Sequence, residues 1–275
     1  MNYTGANPTK NAIAIIPARY KSTRLPGKPL LPIVGKPLVL WVVERALAAR
    51  NVARAIVATD DRRIFEAVTS AGFEAVMTRG DHASGTDRVA EVARSLPDTE
   101  IIVNVQGDEP LISPQTIDRA IEALRETDTG KVEMATTCEP ISGRADVTNP
   151  AVVKVVTDNN GRALYFSRAP IPYPHEAVRK YGSLEAALEN EAELLSCFRK
   201  HTGLYVYRRN FLLEYEAWPQ SSLEHAEGLE QLRALEHGAT IKVVEAASRS
   251  IGVDTVEDLE RVRAIMETEV TLTAR

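Results

Sequence analysis

A Rossmann-like α/β domain on a mainly parallel sheet is the fold class this sequence predicts, and three observations predict it. Four short strand-like runs, Ala12 to Ile16, Ala55 to Ala58, Glu74 to Thr78 and Ile101 to Val105, alternate with stretches whose apolar residues recur at helical spacing. Each run is short and apolar enough to be buried on both faces, as parallel strands are. Three of them end in the richest polar chemistry of the chain, at 17–28, 78–88 and 106–110, and strand carboxyl ends are where such sheets bind ligands.

The elements follow in order. Ala12 to Ile16 breaks at Pro17 into a turn carrying Arg19, Lys21, Arg24 and Lys28. Pro37 then opens a helix marked by Val39, Leu40, Val43, Ala46 and Leu47. The second strand ends in Thr59-Asp60-Asp61, which can cap a helix from Arg62 to Ala71 that Gly72 stops. The third strand leads through the polar loop 79–88 into a helix ending near Ser95, and the fourth leads into Gln106-Gly107-Asp108-Glu109-Pro110. Ile117, Ile121 and Leu124 mark one more helix from Ser113.

Beyond Lys131 the rhythm changes. Val132 to Cys138 is strand-like, and the runs 152–157 and 162–166 flank a turn at 158–161, which predicts a β-hairpin. Three prolines extend the loop 167–174, and charged helices are expected at 184–200 and 223–237. Strands at 203–207 and 241–245 and a last helix from Val256 to about Thr268 complete the pattern. With no linker or repeat, residues 11–275 form one α/β domain carrying an inserted β-rich subdomain at 140–222.

Composition bounds the function. A chain of 275 residues, 44% of them hydrophobic, can bury a sizeable core, and its net charge of −5 argues against nucleic acid as a partner. Cys138 and Cys197 stand far apart with no metal-ligand spacing, so both are read as apolar packing residues in a reducing compartment. Residues 1–11 lack a signal-peptide core, and no stretch approaches the roughly 18 apolar residues of a membrane span. The expectation is a soluble, cytoplasmic protein without membrane insertion, with a frayed leader of about ten residues.

The basic turn can hold phosphates through Arg19 and Lys28, aided by backbone N–H groups; a solvated charged loop is its plain alternative. It has neither GxxxxGK[ST] nor GxGxxG, so it is no P-loop and no dinucleotide fingerprint. Asp108 follows a buried strand directly, and Asp254 ends an Ile-Gly-Val run where it, or Thr255, could instead cap the final helix. Two carboxylates at strand ends facing a cationic loop are what metal-dependent nucleotidyl transfer requires.

The segments IIPARYKSTRLPGKPL, VATDD, MTRGDHASGTDR, VNVQGDEPLI, ALYFSRAPIP, LEQLR and GVDTVEDLERVR resemble, in order and approximate spacing, the 3-deoxy-manno-octulosonate (Kdo) cytidylyltransferases, from Asn11 to Arg263. The resemblance implies a nucleotide-diphospho-sugar transferase fold, CTP and Kdo as substrates, Mg2+ as cofactor and a homodimer. It implies Arg19 and Lys28 on the triphosphate, the Ala18 backbone near the base, and Met77, Thr78 and Arg79 against cytosine and ribose. Ser84 would be a further nucleotide contact. Asp108 and Asp254 would share the metal, and Arg168 would meet the Kdo carboxylate. Gln106, His201, Tyr205, Glu230 and Gln231 would contact the sugar, Gln106 serving the nucleotide as well.

No role is assigned to His82, and Tyr205 and Tyr207 share a strand face that is either substrate or core. The segment between Tyr173 and Arg199 has little counterpart in the family pattern. The rival readings are cytidylyl transfer to another acidic sugar, such as 8-amino-Kdo or a sialic acid, and a non-catalytic sugar-nucleotide-binding regulator.

Overall fold

The computed structural model describes residues 11–21, 24–125 and 132–273; the expected leader lies outside them. In chain order, β1 (Ala12–Ala18) is followed by a 3-10 turn at Lys28–Leu30 and a small ribbon, β2 (Pro32–Ile33) with β3 (Lys36–Pro37). Then come α1 (Leu38–Leu47), β4 (Val52–Thr59), α2 (Arg62–Ser70), β5 (Glu74–Met77), α3 (Gly85–Arg94), β6 (Ile101–Asn104) and α4 (Pro114–Arg125). The middle of the chain supplies β7 (Val132–Pro140), α5 (Arg144–Thr148), β8 (Lys154–Thr157), β9 (Ala163–Ser167), α6 (His175–Tyr181) and α7 (Leu184–Asn190). Last are β10 (Arg199–Arg208), α8 (Arg209–Ala217), α9 (Ser222–Glu227), α10 (Gln231–Glu236), β11 (Thr240–Glu245) and α11 (Val256–Thr273).

The chain divides into two compact units. The first comprises residues 1–122, 204–217 and 247–275. At its centre β1 pairs in parallel with β4, Ile15 opposite Ile56, and with β6, Ala14 opposite Val103. β4 pairs in parallel with β5, and residues 205–208 of β10 run antiparallel to β6. Ala12, Ala14, Ile15, Ile16, Val57, Ala58, Ile102 and Val103 are wholly buried, so both faces of the central strands are covered, as the sequence predicts. β5 departs from that expectation: it is an edge strand, and Val76 and Met77 are exposed because they have a strand neighbour on one side only.

The second unit comprises residues 123–203 and 218–246. The subdomain expected at 140–222 overlaps it, but the unit starts earlier and excludes 204–217. β7 pairs in parallel with β11, and β8 and β9 form the expected antiparallel hairpin. Two expected helices are broken. The segment 184–200 gives α7, a 3-10 stretch at Ala192–Cys197 and the start of β10, because Glu191 leaves helical geometry. Phe198 is thereby buried with Ile141, Val147 and Leu188. The segment 223–237 divides into α9 and α10 at Gly228, whose φ of 61° stops α9 with a left-handed cap. Cys138 is buried as expected, whereas Cys197 is exposed.

Candidate active site

The first unit carries a pocket of about 420 Å³ lined by Ala18, Arg19, Lys21, Arg24, Lys28, Gln106, Gly107, Asp108 and Asp254, with Pro17 and Pro29. Strand ends build it. The Val105 N–H donates to Ile15 O (3.2 Å), which holds the chain leaving β6 beside β1. Gly107 must be glycine there, since a Cβ would meet Pro17 O at 2.6 Å. The basic turn is folded back by Gly27, at φ 69°, whose N–H donates to Tyr20 O, and Lys28 opens the 3-10 turn that follows.

Lys28 joins the two halves of the pocket. Its ammonium donates to Asp108 Oδ2 at 2.6 Å and to Asp254 Oδ1 at 3.2 Å, and Arg24 Nη2 lies 3.2 Å from Asp254 Oδ1. A backbone bond from Val253 N–H to Asp108 O (2.9 Å) aligns the two acidic segments. Asp254 is spared helix capping because Thr255 does that work. Thr255 Oγ1 accepts from Asp258 N–H (3.2 Å), and Asp258 Oδ2 accepts from Thr255 N–H (3.0 Å).

Both carboxylates thus reach one point of positive charge, which is the requirement for sharing a cation. No cluster of three or more His, Cys, Asp or Glu side chains able to hold a metal exists among the described residues. A cation between Asp108 and Asp254 would complete its shell with water and phosphate oxygens, the habit of Mg2+.

The cytidylyltransferase family model matches residues 13–242. A 3-deoxy-manno-octulosonate cytidylyltransferase of Trichlorobacter lovleyi is 53% identical over 93% of this chain and 98% of its own length. That of Escherichia coli is 45% identical over 94% and 97%. The chain belongs to the 3-deoxy-manno-octulosonate cytidylyltransferase family. A CMP:2-keto-3-deoxy-manno-octonic acid synthetase solved in complex with CTP has a TM-score of 0.83 and 44% identity, over 94% of this chain and all of that one.

In this cytidylyltransferase, six of the residues singled out from sequence, Ala18, Arg19, Lys28, Gln106, Asp108 and Asp254, line one pocket. Lys21 and Arg24 line it too; as cations of the same turn they were visible in the sequence without an assigned role. Arg19 Nη2 donates to His82 O (3.0 Å) and Ser84 O (2.6 Å), tying the basic turn to the loop after β5. Ser84 Oγ accepts from Asp87 N–H as the cap of α3. Thr78 turns its hydroxyl inward to Arg88, while Met77 and Arg79 stay exposed. His82 is buried, its Nε2 against Glu91 Oε2.

The residues expected at the sugar have their own environments. Tyr205 stacks on Tyr207 (6.0 Å between centroids) and Tyr207 on Tyr215 (6.3 Å). Their shared face is therefore aromatic core, with Tyr205 at its margin. In the second unit the Arg168 guanidinium donates to the carbonyls of Glu227 (2.7 Å), Pro150 (2.9 Å) and Gly228 (3.3 Å). Three of its five donors thus brace the chain after β9. Glu230 precedes α10 and is half-buried, and Gln231 is buried in its first turn.

His201 Nε2 lies 2.9 Å from Thr136 Oγ1, and its ring is edge-on to Phe166 at 5.0 Å. Burial pushes its pKa down to about 3. The unfolded ring titrates near 6.5, so the neutral ring's contribution to stability is full above about pH 6.5 and is lost as the pH falls toward 3. The His201 imidazole resonances are expected to stay flat between pH 5 and 8; a midpoint near 6.5 would contradict this.

Proposed function

We propose that the chain transfers the cytidylyl group of CTP to the anomeric hydroxyl of Kdo, releasing pyrophosphate, and that the observation carrying this reading is the convergence of Asp108, Asp254 and Lys28. The hydroxyl oxygen forms a bond to the α-phosphorus in line with the departing pyrophosphate, whose bridging P–O bond breaks. The hydroxyl proton passes to solvent. Asp108 and Asp254 would hold a magnesium ion, which when bound would lower the pKa of the attacking hydroxyl and neutralise phosphate charge. Lys28, released from the two carboxylates, turns to the triphosphate, and with Arg19 it stabilises charge gathering on the leaving group. Gln106 and the Ala18 backbone orient the nucleotide from the pocket wall. Met77, Thr78, Arg79 and Ser84 act on the base side.

The sugar contacts remain Arg168, His201, Tyr205, Glu230, Gln231 and Gln106, with Arg168 offering its two remaining donors to the Kdo carboxylate. The enzyme is read as a cytoplasmic homodimer that activates Kdo for lipopolysaccharide synthesis. The names of its relatives, the CTP-bound neighbour and the cationic pocket support the reading. No helix among the described residues is long and apolar enough to cross a membrane.

The test is pyrophosphate release with CTP, Mg2+ and a panel of acidic sugars. Kdo is expected to turn over well above 8-amino-Kdo and sialic acid. Turnover with one of these but none with Kdo would overturn the sugar assignment, and no turnover with any would overturn the reaction.

A further inference from the structure

Arg88 is wholly buried in the first turn of α3, and the transfer chemistry above does not use it. Its Nη1 donates to Thr78 Oγ1, and its Nη2 lies 3.4 Å from Asp60 Oδ2. Nε and Nη2 find no hydrogen-bond acceptor among the described residues. A guanidinium removed from water with an incomplete set of acceptors costs free energy, so stability alone is a poor reason for it. Such breaches of local rules are expected where function imposes them.

Its two partners stand at strand ends. Asp60 follows β4, and Thr78 follows β5, where its N–H donates to Thr59 O at 2.8 Å. Arg79 is fixed next: its N–H lies 3.3 Å from the Glu91 carboxylate. Gly80 passes close over Asp60, a Cβ there standing 3.5 Å from Oδ2. At the far end of the loop Arg19 grips the carbonyls of His82 and Ser84. The segment 78–84 is thus anchored by Arg88 where it leaves the sheet and by Arg19 where it enters α3.

We propose that Arg88 is a positioning residue for the nucleotide: through Thr78 and Asp60 it fixes the end of β5, and with it the Met77–Arg79 edge that meets the nucleoside, without touching the ligand itself. This rests on the cytidylyltransferase reading. Arg88 sets where the base side of CTP is received and leaves the metal and leaving-group side, at Lys28, Asp108 and Asp254, unchanged.

The experiment is steady-state kinetics on the full chain with CTP and Kdo for Arg88→Met, Thr78→Val and Thr78→Ser. For Arg88→Met the KM for CTP is expected to rise about tenfold, with kcat and the KM for Kdo within about twofold. Thr78→Val should give part of that rise, and Thr78→Ser, which keeps the hydroxyl that accepts from Arg88, should raise the KM less than Thr78→Val does. The double variant Arg88→Met/Thr78→Val should be no worse than Arg88→Met. An unchanged KM for CTP in Arg88→Met and Thr78→Val, or equal changes in kcat and both KM values, would overturn the proposal. If Arg88→Met does not fold, Arg88→Lys, which keeps a buried cation but loses the guanidinium fork, is read by the same two KM values. Absence of wild-type turnover would indict the reaction rather than Arg88.

Discussion

Asp108→Asn is expected to lower kcat by about a thousandfold, equivalent to ~4 kcal/mol of lost transition-state stabilisation, with the fold nearly undisturbed. The amide keeps the size of the carboxylate and removes the charge that a shared cation requires. Folding stability should barely move, because the pair with Lys28 is partly exposed on its Asp108 side and such pairs contribute about 1 kcal/mol or less. Pyrophosphate release and a melting curve on the same preparation check both halves. An Asp108→Asn enzyme with full turnover would remove this carboxylate from the mechanism.

Lys28→Met is expected to act in two opposite directions. Turnover should fall about a hundredfold, since a cation that stabilises the leaving group is gone. Yet free Mn2+, offered without nucleotide, should bind the variant roughly fivefold to tenfold more tightly, because the Lys28 ammonium sits 2.6 Å from Asp108 and 3.2 Å from Asp254 and competes for that space. If Lys28 were only a structural tie, its loss would lower turnover and weaken Mn2+ binding together. The readout is equilibrium Mn2+ binding followed by electron paramagnetic resonance, alongside the kinetics.

The first unit was largely legible because its signals are local. Each strand is a short apolar run ending at a polar loop, and Asp61 and Ser84 cap the helices that follow through their own side chains. The meeting of residues 28 and 108 was legible too, since they follow β1 and β6, which pair in one sheet, whereas Asp254 follows no strand and is brought in by the bond from Val253 N–H to Asp108 O. Other features depend on tertiary packing. Nothing local in ALENEAELLSCFRK separates helix from strand; the break follows from Phe198 reaching a core made with Ile141, Val147 and Leu188. The reach of α9 was hidden because Gly228 lies inside an otherwise helical pattern.

Among the site residues, the fate of donors could not be read from motifs. Arg168 stands in a motif that implied sugar binding, but its carbonyl partners come from the chain around 150 and 227. Arg88 did leave a signal, four residues before Val92 on the buried face of α3. Charge on a helix is ordinarily solvated, and its burial beneath Thr78 is a fact of tertiary structure.

The central claim is that Asp108 and Asp254 form one cation site shared with the nucleotide. Mn2+ titration of the wild-type chain, with and without CTP, tests it most directly. The account predicts weak binding of Mn2+ alone, much tighter binding when CTP is present, and loss of that enhancement in both Asp108→Asn and Asp254→Asn. Mn2+ binding in the presence of CTP that either substitution leaves at the wild-type level would contradict it.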